Sequence, residues 1–214
     1  MGLALASGIL PGARAFTVTL TNGAPTIIYL QVGVGAFTPA NSNYTGANGH
    51  PTGTPAANTT INQVTVALAN GTVGNGTAQA MASNSGATAS FYDSYPFCNA
   101  NTLYIGGFYR TSGAGQKTTA TVTATVPAAL TNAAGDTIPF SQISWTSAGN
   151  GDTNGNGLPE VFPGGTFIAG GTQSVGNFTQ NQWAESCWSF SYANTVIPAG
   201  GTYTGRVTYT VTLP

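Results

Sequence analysis

The sequence predicts an all-β protein, an immunoglobulin-like or jelly-roll β-sandwich with long loops that are rich in Gly and Asn. Short Thr-rich apolar segments alternate with Gly, Asn and Pro stretches along the chain, a pattern typical of sandwiches and barrels. Several of these segments alternate apolar and polar residues with the period of two that a half-buried strand requires. No segment with helical periodicity is longer than two turns.

The first strands are predicted from alternation and turn signals. Residues 16–21 (FTVTLT) alternate strictly and are followed by Asn22-Gly23, a strong hairpin signal. Residues 26–34 (TIIYLQVGV) are more continuously apolar, which favours a central strand. Residues 35–59 are rich in Gly, Pro and Asn, and we expect them to form a long loop.

The later strands follow the same pattern. Pro139 interrupts residues 137–145, so this segment is expected to be an edge strand or a bulged strand. Residues 126–134 (VPAALTNAA) are predicted to hold one short helical turn. The other predicted strands are residues 61–68, 103–110, 119–126, 166–170, 173–175, 187–192 and 202–213.

The N-terminus indicates the compartment. Residues 2–10 form a short apolar run, and Ala13-Arg14-Ala15 follows it, as at a signal-peptidase site. We therefore expect residues 1–15 to be the remnant of a signal peptide and residues 16–214 to form a single β-sandwich domain. A secreted protein, extracellular or at the cell surface, is the prediction. The alternative is that residues 2–10 are a loose N-terminal tail.

Cys98 and Cys187 are the only cysteines of the chain. An even number of cysteines in a chain with secretory features favours a disulfide. The bridge would close a loop of about 90 residues and contribute about 4.5 kcal/mol in the chain-entropy description. Two buried free thiols are the alternative.

Charge is scarce and excludes several classes of protein. The chain has 4 Lys or Arg and 5 Asp or Glu residues, so charged residues make up 4% where about 25% is usual. No basic patch for nucleic acid can be built from so few cations. No run of 18 apolar residues predicts a transmembrane helix. The chain also has a single His, so few residues are available for a charged catalytic site. We therefore expect no enzyme, and no cofactor apart from one candidate calcium site.

The calcium candidate lies in residues 151–160 (GDTNGNGLPE). Asp152, Asn154 and Asn156, followed by a Gly, match the opening of a calcium loop, in which every second residue supplies an oxygen. Glu160 would complete part of the coordination shell, but Pro163 stands where the bidentate Glu is expected. A loop of Asn and Gly without metal is the alternative.

Two further hypotheses concern the residues around the cysteines. Trp183 follows two polar residues and is the aromatic most expected to be exposed, where it would stack on a glycan. Packing of the aromatics in the core is the alternative. Asp93 and Glu185 each lie near a cysteine and would form the carboxylate pair of a glycoside hydrolase, or else act as hydrogen-bonded structural groups.

Five N-x-[ST] sequences are candidate N-glycosylation sites if the host has the enzymes. All of them lie in or beside predicted loops. They begin at Asn43, Asn58, Asn70, Asn75 and Asn177.

The predicted strands indicate assembly. Soluble β proteins protect their edge strands with charged side chains, and here Thr, Ser and Asn stand in their place. The chain also begins and ends with long alternating strands, which can pair with another copy. The alternative is a monomer kept soluble by hydroxyls, amides and glycans.

Residues 197–212 (IPAGGTYTGRVTYTVT) resemble the final strand of spore-coat-U-type and archaic chaperone–usher pilin domains, and residues 16–21 resemble a pilin donor strand. The resemblance implies an incomplete immunoglobulin-like sandwich that a strand of the next subunit completes, with an assembly chaperone as a candidate partner. The cysteine spacing and the long loops depart from that pattern.

We therefore expect a secreted structural subunit of an extracellular fibre, pilus or coat that assembles with itself by β-strand exchange. Phe16, Val18 and Leu20 would fill core pockets of a neighbouring subunit. The alternative function is a monomeric carbohydrate-binding or adhesin module with exposed aromatic residues.

Overall fold

The computed structural model describes residues 16–20, 26–38, 44–45, 52–90, 92, 95–110, 119–150, 162–180 and 182–213. Its regular structure is almost entirely β, as predicted, and two single 3-10 turns are the only helical elements in these ranges. The strands are, in chain order, β1 (Phe16–Leu20), β2 (Thr26–Val32), β3 (Phe37–Thr38), β4 (Tyr44–Thr45), β5 (Thr52–Pro55), β6 (Val64–Thr65), β7 (Gln79–Ala80), β8 (Ala82–Ser83), β9 (Leu103–Arg110), β10 (Thr119–Thr125), β11 (Ala129–Thr131), β12 (Thr137–Pro139), β13 (Ile143–Ala148), β14 (Gly165–Thr166), β15 (Thr172–Thr179), β16 (Trp183–Tyr192) and β17 (Thr208–Thr212).

Two antiparallel sheets organise these strands. The larger sheet has the order β1-β2-β9-β16-β13-β14, and β7 also pairs with β16. The smaller sheet has the order β15-β10-β17. Strands β3, β4 and β5, strands β6 and β8, and strands β11 and β12 form small separate ladders.

The two sheets pack face to face around one apolar layer, which we call the inter-sheet core. Ala120, Val122 and Ala124 of β10 are fully buried and face the alternate apolar residues of β2, β9 and β16. The outward residues of β10 are threonines, so this strand has the hydrophobic-in, polar-out pattern of a two-sheet sandwich. The all-β sandwich predicted from the sequence is therefore confirmed.

The opposite face of the larger sheet is also buried. It contacts the described residues of 84–90, 92 and 95–102, which we call the cover segment, and the aromatic layer between them is the second core. Strand β9 is accordingly buried at every position from Leu103 to Tyr109. A strand with both faces buried is expected to be continuously apolar, which agrees with the prediction of a central strand from the apolar run at residues 26–34.

Some segments differ from the sequence prediction. The helical turn predicted in residues 126–134 is wrong, because β11 pairs there with β12 in a hairpin that the Asn132 side chain closes by accepting from the Asp136 backbone N–H at 2.8 Å. The prediction of one edge or bulged strand over residues 137–145 is wrong, because β12 ends at Pro139, a 3-10 turn follows, and β13 lies between β16 and β14 in the larger sheet. The loop predicted at 35–59 contains β3, β4 and β5.

Gly107 is required where β9 passes β2. A Cβ at this position would overlap the backbone carbonyl oxygen of Tyr29, which cannot move because it belongs to a central strand. We expect Gly107→Ala to lower the free energy of unfolding by at least ~2 kcal/mol in a urea titration. Gly200→Ala is the matched control, because a Cβ there meets nothing within 4 Å. Equal stabilities of the two variants would contradict the packing described for β9.

Candidate functional site

The predicted disulfide between Cys98 and Cys187 is present, with the two Cα atoms 5.5 Å apart. Both residues are buried in the second core, and the bridge joins the cover segment to β16. The backbone of the cover segment is also held by Asn150, whose backbone N–H donates to the Phe97 carbonyl at 2.9 Å. These links hold the cover segment against the second face of the larger sheet.

Trp183 does not lie where the sequence predicted. The residue is 2% exposed, so the expectation of an exposed aromatic at this position is wrong. Its ring lies 5.8 Å from that of Phe108 and 6.2 Å from that of Tyr29, and Tyr92 stacks on it from the cover segment. The alternation of β16 directs this side chain into the second core, and the polar residues before it do not indicate its exposure.

Glu185 is the one charged residue among those buried in the described part of the chain. One carboxylate oxygen, Oε2, accepts from the Tyr104 hydroxyl at 2.5 Å and from the Trp183 indole N–H at 2.9 Å. Burial raises the pKa of the Tyr104 hydroxyl well above its usual range, and the neighbouring Glu185 carboxylate raises it further. This carboxylate therefore orders the second core, and at 2% exposure a substrate does not reach it.

Several sequence hypotheses concern residues outside the described ranges. These are the carboxylate Asp93, the candidate calcium ligands Asp152, Asn154, Asn156 and Glu160, and the candidate glycosylation site Asn43. Within the described ranges, no group of three or more His, Cys, Asp or Glu residues is arranged to hold a metal ion.

The other candidate glycosylation sites differ in the accessibility of their amides. Asn70, Asn75 and Asn177 are exposed. Asn58 is half-buried, and its amide nitrogen, the atom that a glycan would join, donates to the Gly35 carbonyl at 3.2 Å. Asn75 accepts a hydrogen bond from the buried Asn194 amide at 2.9 Å, so its oxygen is engaged as well.

Asn194 is a structural residue that sequence reasoning missed. It is fully buried with a φ of 57°, and its amide donates to the Thr72 carbonyl at 2.8 Å and accepts from the Gly74 backbone N–H at 2.8 Å. One side chain thereby fixes the turns of residues 70–77, which are more than a hundred residues away in sequence. The sequence signal for turns in this loop is its two Asn-Gly pairs, at residues 70–71 and 75–76.

The two sheets differ most from an ordinary soluble sandwich at their edges. None of the edge strands β1, β14, β15 and β17 contains a charged residue. Along β17, the ladder to β10 uses one edge, and no described strand pairs with the other. Apolar residues on the inner side of this edge, Val211 and Leu213, remain half-exposed although they contact the inter-sheet core.

Strand β1 forms the outer edge of the larger sheet and pairs only with β2. The register places positions 16 and 18 opposite Leu30 and Ile28. Cross-strand partners share one face of a sheet, and this face belongs to the inter-sheet core. The predicted donor segment is thus a five-residue edge strand whose alternate positions match a core face.

Comparisons with protein-family profiles, with curated proteins and with solved structures give no match for this chain. No helix in the described part is long and apolar enough to span a bilayer.

The buried tyrosines make the fold sensitive to alkali. Burial raises the pKa of Tyr29, Tyr104 and Tyr209 above the value of about 10 for a free phenol. A folded-state pKa above the unfolded value means that the stabilisation is complete below the unfolded pKa and is lost as the pH rises above it. We expect the melting temperature to fall from about pH 10 upward and to keep falling until the raised folded-state pKa is reached.

Tyr209→Phe tests this assignment, because burial alone raises the pKa of Tyr209. The variant should lose less stability than the wild type over the same alkaline interval, measured by thermal unfolding followed with circular dichroism. An unchanged dependence on pH would show that Tyr209 does not contribute.

Proposed function

We propose that the chain is a secreted structural subunit of an extracellular fibre, pilus or coat, and that its copies are joined by β-strand exchange. The observation that supports this most is the outer edge of β17. There the backbone has no described ladder partner, no charge protects the strand, and Val211 and Leu213, which pack against the inter-sheet core, are only half-buried. A strand added at this edge would gain main-chain hydrogen bonds and would cover those apolar side chains.

Strand β1 of a second copy is the proposed donor. It is short, it has a single neighbour in its own sheet, and a segment outside the described residues, 21–25, connects it to β2. Phe16, Val18 and Leu20 occupy alternate positions of this strand. That spacing suits the inner side of an edge such as β17, whose own inner residues also alternate.

The disulfide and the near absence of charge support the same proposal. A structural disulfide persists in oxidising compartments outside the cytosol. A formal net charge of -1 leaves little repulsion between copies. An assembly chaperone that covers the β17 edge before export or assembly is the partner that we propose on this account.

The alternative function, a carbohydrate-binding or adhesin module, depended on exposed aromatic residues, and Trp183 was the residue most expected to be exposed. Trp183 is enclosed in the second core, so it offers no face to a glycan. Among the residues whose side chains the structure describes, the exposed large apolar ones are Ile61, Ile168 and Ile197, which are aliphatic and do not stack on a sugar ring.

Val18→Asp and Leu20→Asp test the donor strand. A carboxylate at either position would have to be buried in the neighbour without a partner, so we expect polymers to disappear from sedimentation and size-exclusion profiles. Near-UV circular dichroism should report an intact aromatic core in the monomers. Thr21→Asp is the control, because it adds the same charge one residue beyond β1 and should still polymerise. Polymers formed by the Val18 and Leu20 variants would contradict the proposal.

Thr210→Lys tests the acceptor edge. Thr210 is exposed on β17, and lysine on an edge strand opposes further pairing. Assembly should slow strongly, as followed by light scattering. Thr123→Lys places the same charge on the same sheet face, but on the central strand β10 opposite Thr210, and should assemble at the wild-type rate. Equal assembly rates for the two variants would show that the edge of β17 is not the acceptor.

A further inference from the structure

The cover segment lies on the larger sheet without a β-ladder. None of its described residues belongs to a strand, so no row of main-chain hydrogen bonds joins them to β9 or β16. Aromatic rings contribute to the contact instead, with the centroid of Phe97 6.4 Å from that of Tyr104 and the centroid of Tyr92 6.3 Å from that of Trp183. A segment held in this way can open locally while the strands beneath it stay paired.

A covalent link and a hydrogen-bonded link oppose such an opening. The disulfide joins Cys98 of the cover segment to Cys187 in the middle of β16. Beside the bridge, Asn150 donates its backbone N–H to the Phe97 carbonyl and its side-chain amide to the Pro96 carbonyl, each at 2.9 Å. Removing the bridge would therefore leave the segment to the rings and to hydrogen bonds such as those of Asn150.

The bridge itself is out of reach of reagents while the cover segment is closed. Cys98 is 3% exposed and Cys187 is 5% exposed, whereas thiol–disulfide exchange requires a thiolate to attack one of the sulfurs directly. The bridge is therefore made and broken in a form of the protein in which the segment has opened, either locally or by unfolding of the whole chain. In that form the second core, with Tyr104, Trp183 and the Glu185 carboxylate that joins them, loses its cover.

We propose that the cover segment is a redox-locked lid. With two free thiols the lid opens locally over the second core, oxidation locks it shut, and the inter-sheet core stays folded in both states. That core contains neither cysteine. The second core contains no residue of β1 or β17, so the lid does not depend on strand exchange.

An oxidoreductase with a reactive disulfide is the partner that the lid requires. Each of the two thiols, Cys98 and Cys187, gives up one proton and one electron as their S–S bond forms. The disulfide of the enzyme accepts two protons and two electrons and is released as a dithiol. Reduction by a dithiol reverses each of these steps and opens the lid.

Hydrogen exchange of the indole N–H groups tests the lid in the full-length protein, because the three tryptophans report on both cores. Trp183 belongs to the second core, and its indole donates to Glu185. Trp145 and Trp188 belong to the inter-sheet core, and their indoles donate to backbone carbonyls at 2.9 and 3.2 Å.

The exchange rates are measured by NMR for the 15N-labelled wild type and for Cys98→Ala/Cys187→Ala, which lacks the bridge. Without the bridge, exchange at Trp183 should be at least about tenfold faster, and exchange at Trp145 and Trp188 should stay within about twofold of the wild type. Unchanged exchange at Trp183, or equal acceleration at all three indoles, would overturn the proposal.

The kinetics of reduction test local opening with the bridge in place. Reduction of the wild type by dithiothreitol should depend little on urea below the unfolding transition, because a local opening exposes little surface. Asn150→Ala removes the side-chain bond to Pro96 and should speed reduction at least about threefold. Asn132→Ala is the matched control, since it removes side-chain hydrogen bonds from the β11–β12 hairpin and should be reduced at the wild-type rate. A steep dependence on urea, or equal rates for the two variants, would overturn the proposal.

Discussion

The burial of β2, β9 and β16 on both faces is the constraint on which the rest of this structure depends. One face meets the smaller sheet, and the other meets the cover segment, which the Cys98–Cys187 bridge holds in place. Two apolar layers, the disulfide and the Glu185 carboxylate, which accepts from Tyr104 and Trp183 inside the second core, stabilise this arrangement. Among the described residues, both faces of these central strands are therefore covered, and the edges of the sheets are left for contact with another chain.

This division assigns different roles to the centre and to the rim. Two buried polar side chains of the centre have structural contacts: Glu185 accepts from Tyr104 and Trp183 in the second core, and Asn194 anchors the turns of residues 70–77. The rim keeps backbone hydrogen-bonding capacity along β17 and has no charge that would repel another strand.

The sequence predicted the parts that local pattern determines. The run of residues 103–110 became β9 with the same ends, and the even number of cysteines led to the correct bridge. The prediction for Trp183 was wrong because its polar neighbours suggested exposure, whereas its pairing opposite Phe108 in β16 decides its burial. The Asn194 anchor was missed because it depends on contacts between distant segments, which neither periodicity nor turn signals indicate.

The central claim is that copies of this chain join through β-strands, and negative-stain electron microscopy of the natively secreted protein tests it most directly. The samples are compared before and after heating in SDS. Strand exchange predicts filaments made of this chain that survive the detergent, because an inserted strand is held by a ladder of main-chain hydrogen bonds and by buried side chains. Single compact particles in every preparation would contradict the account.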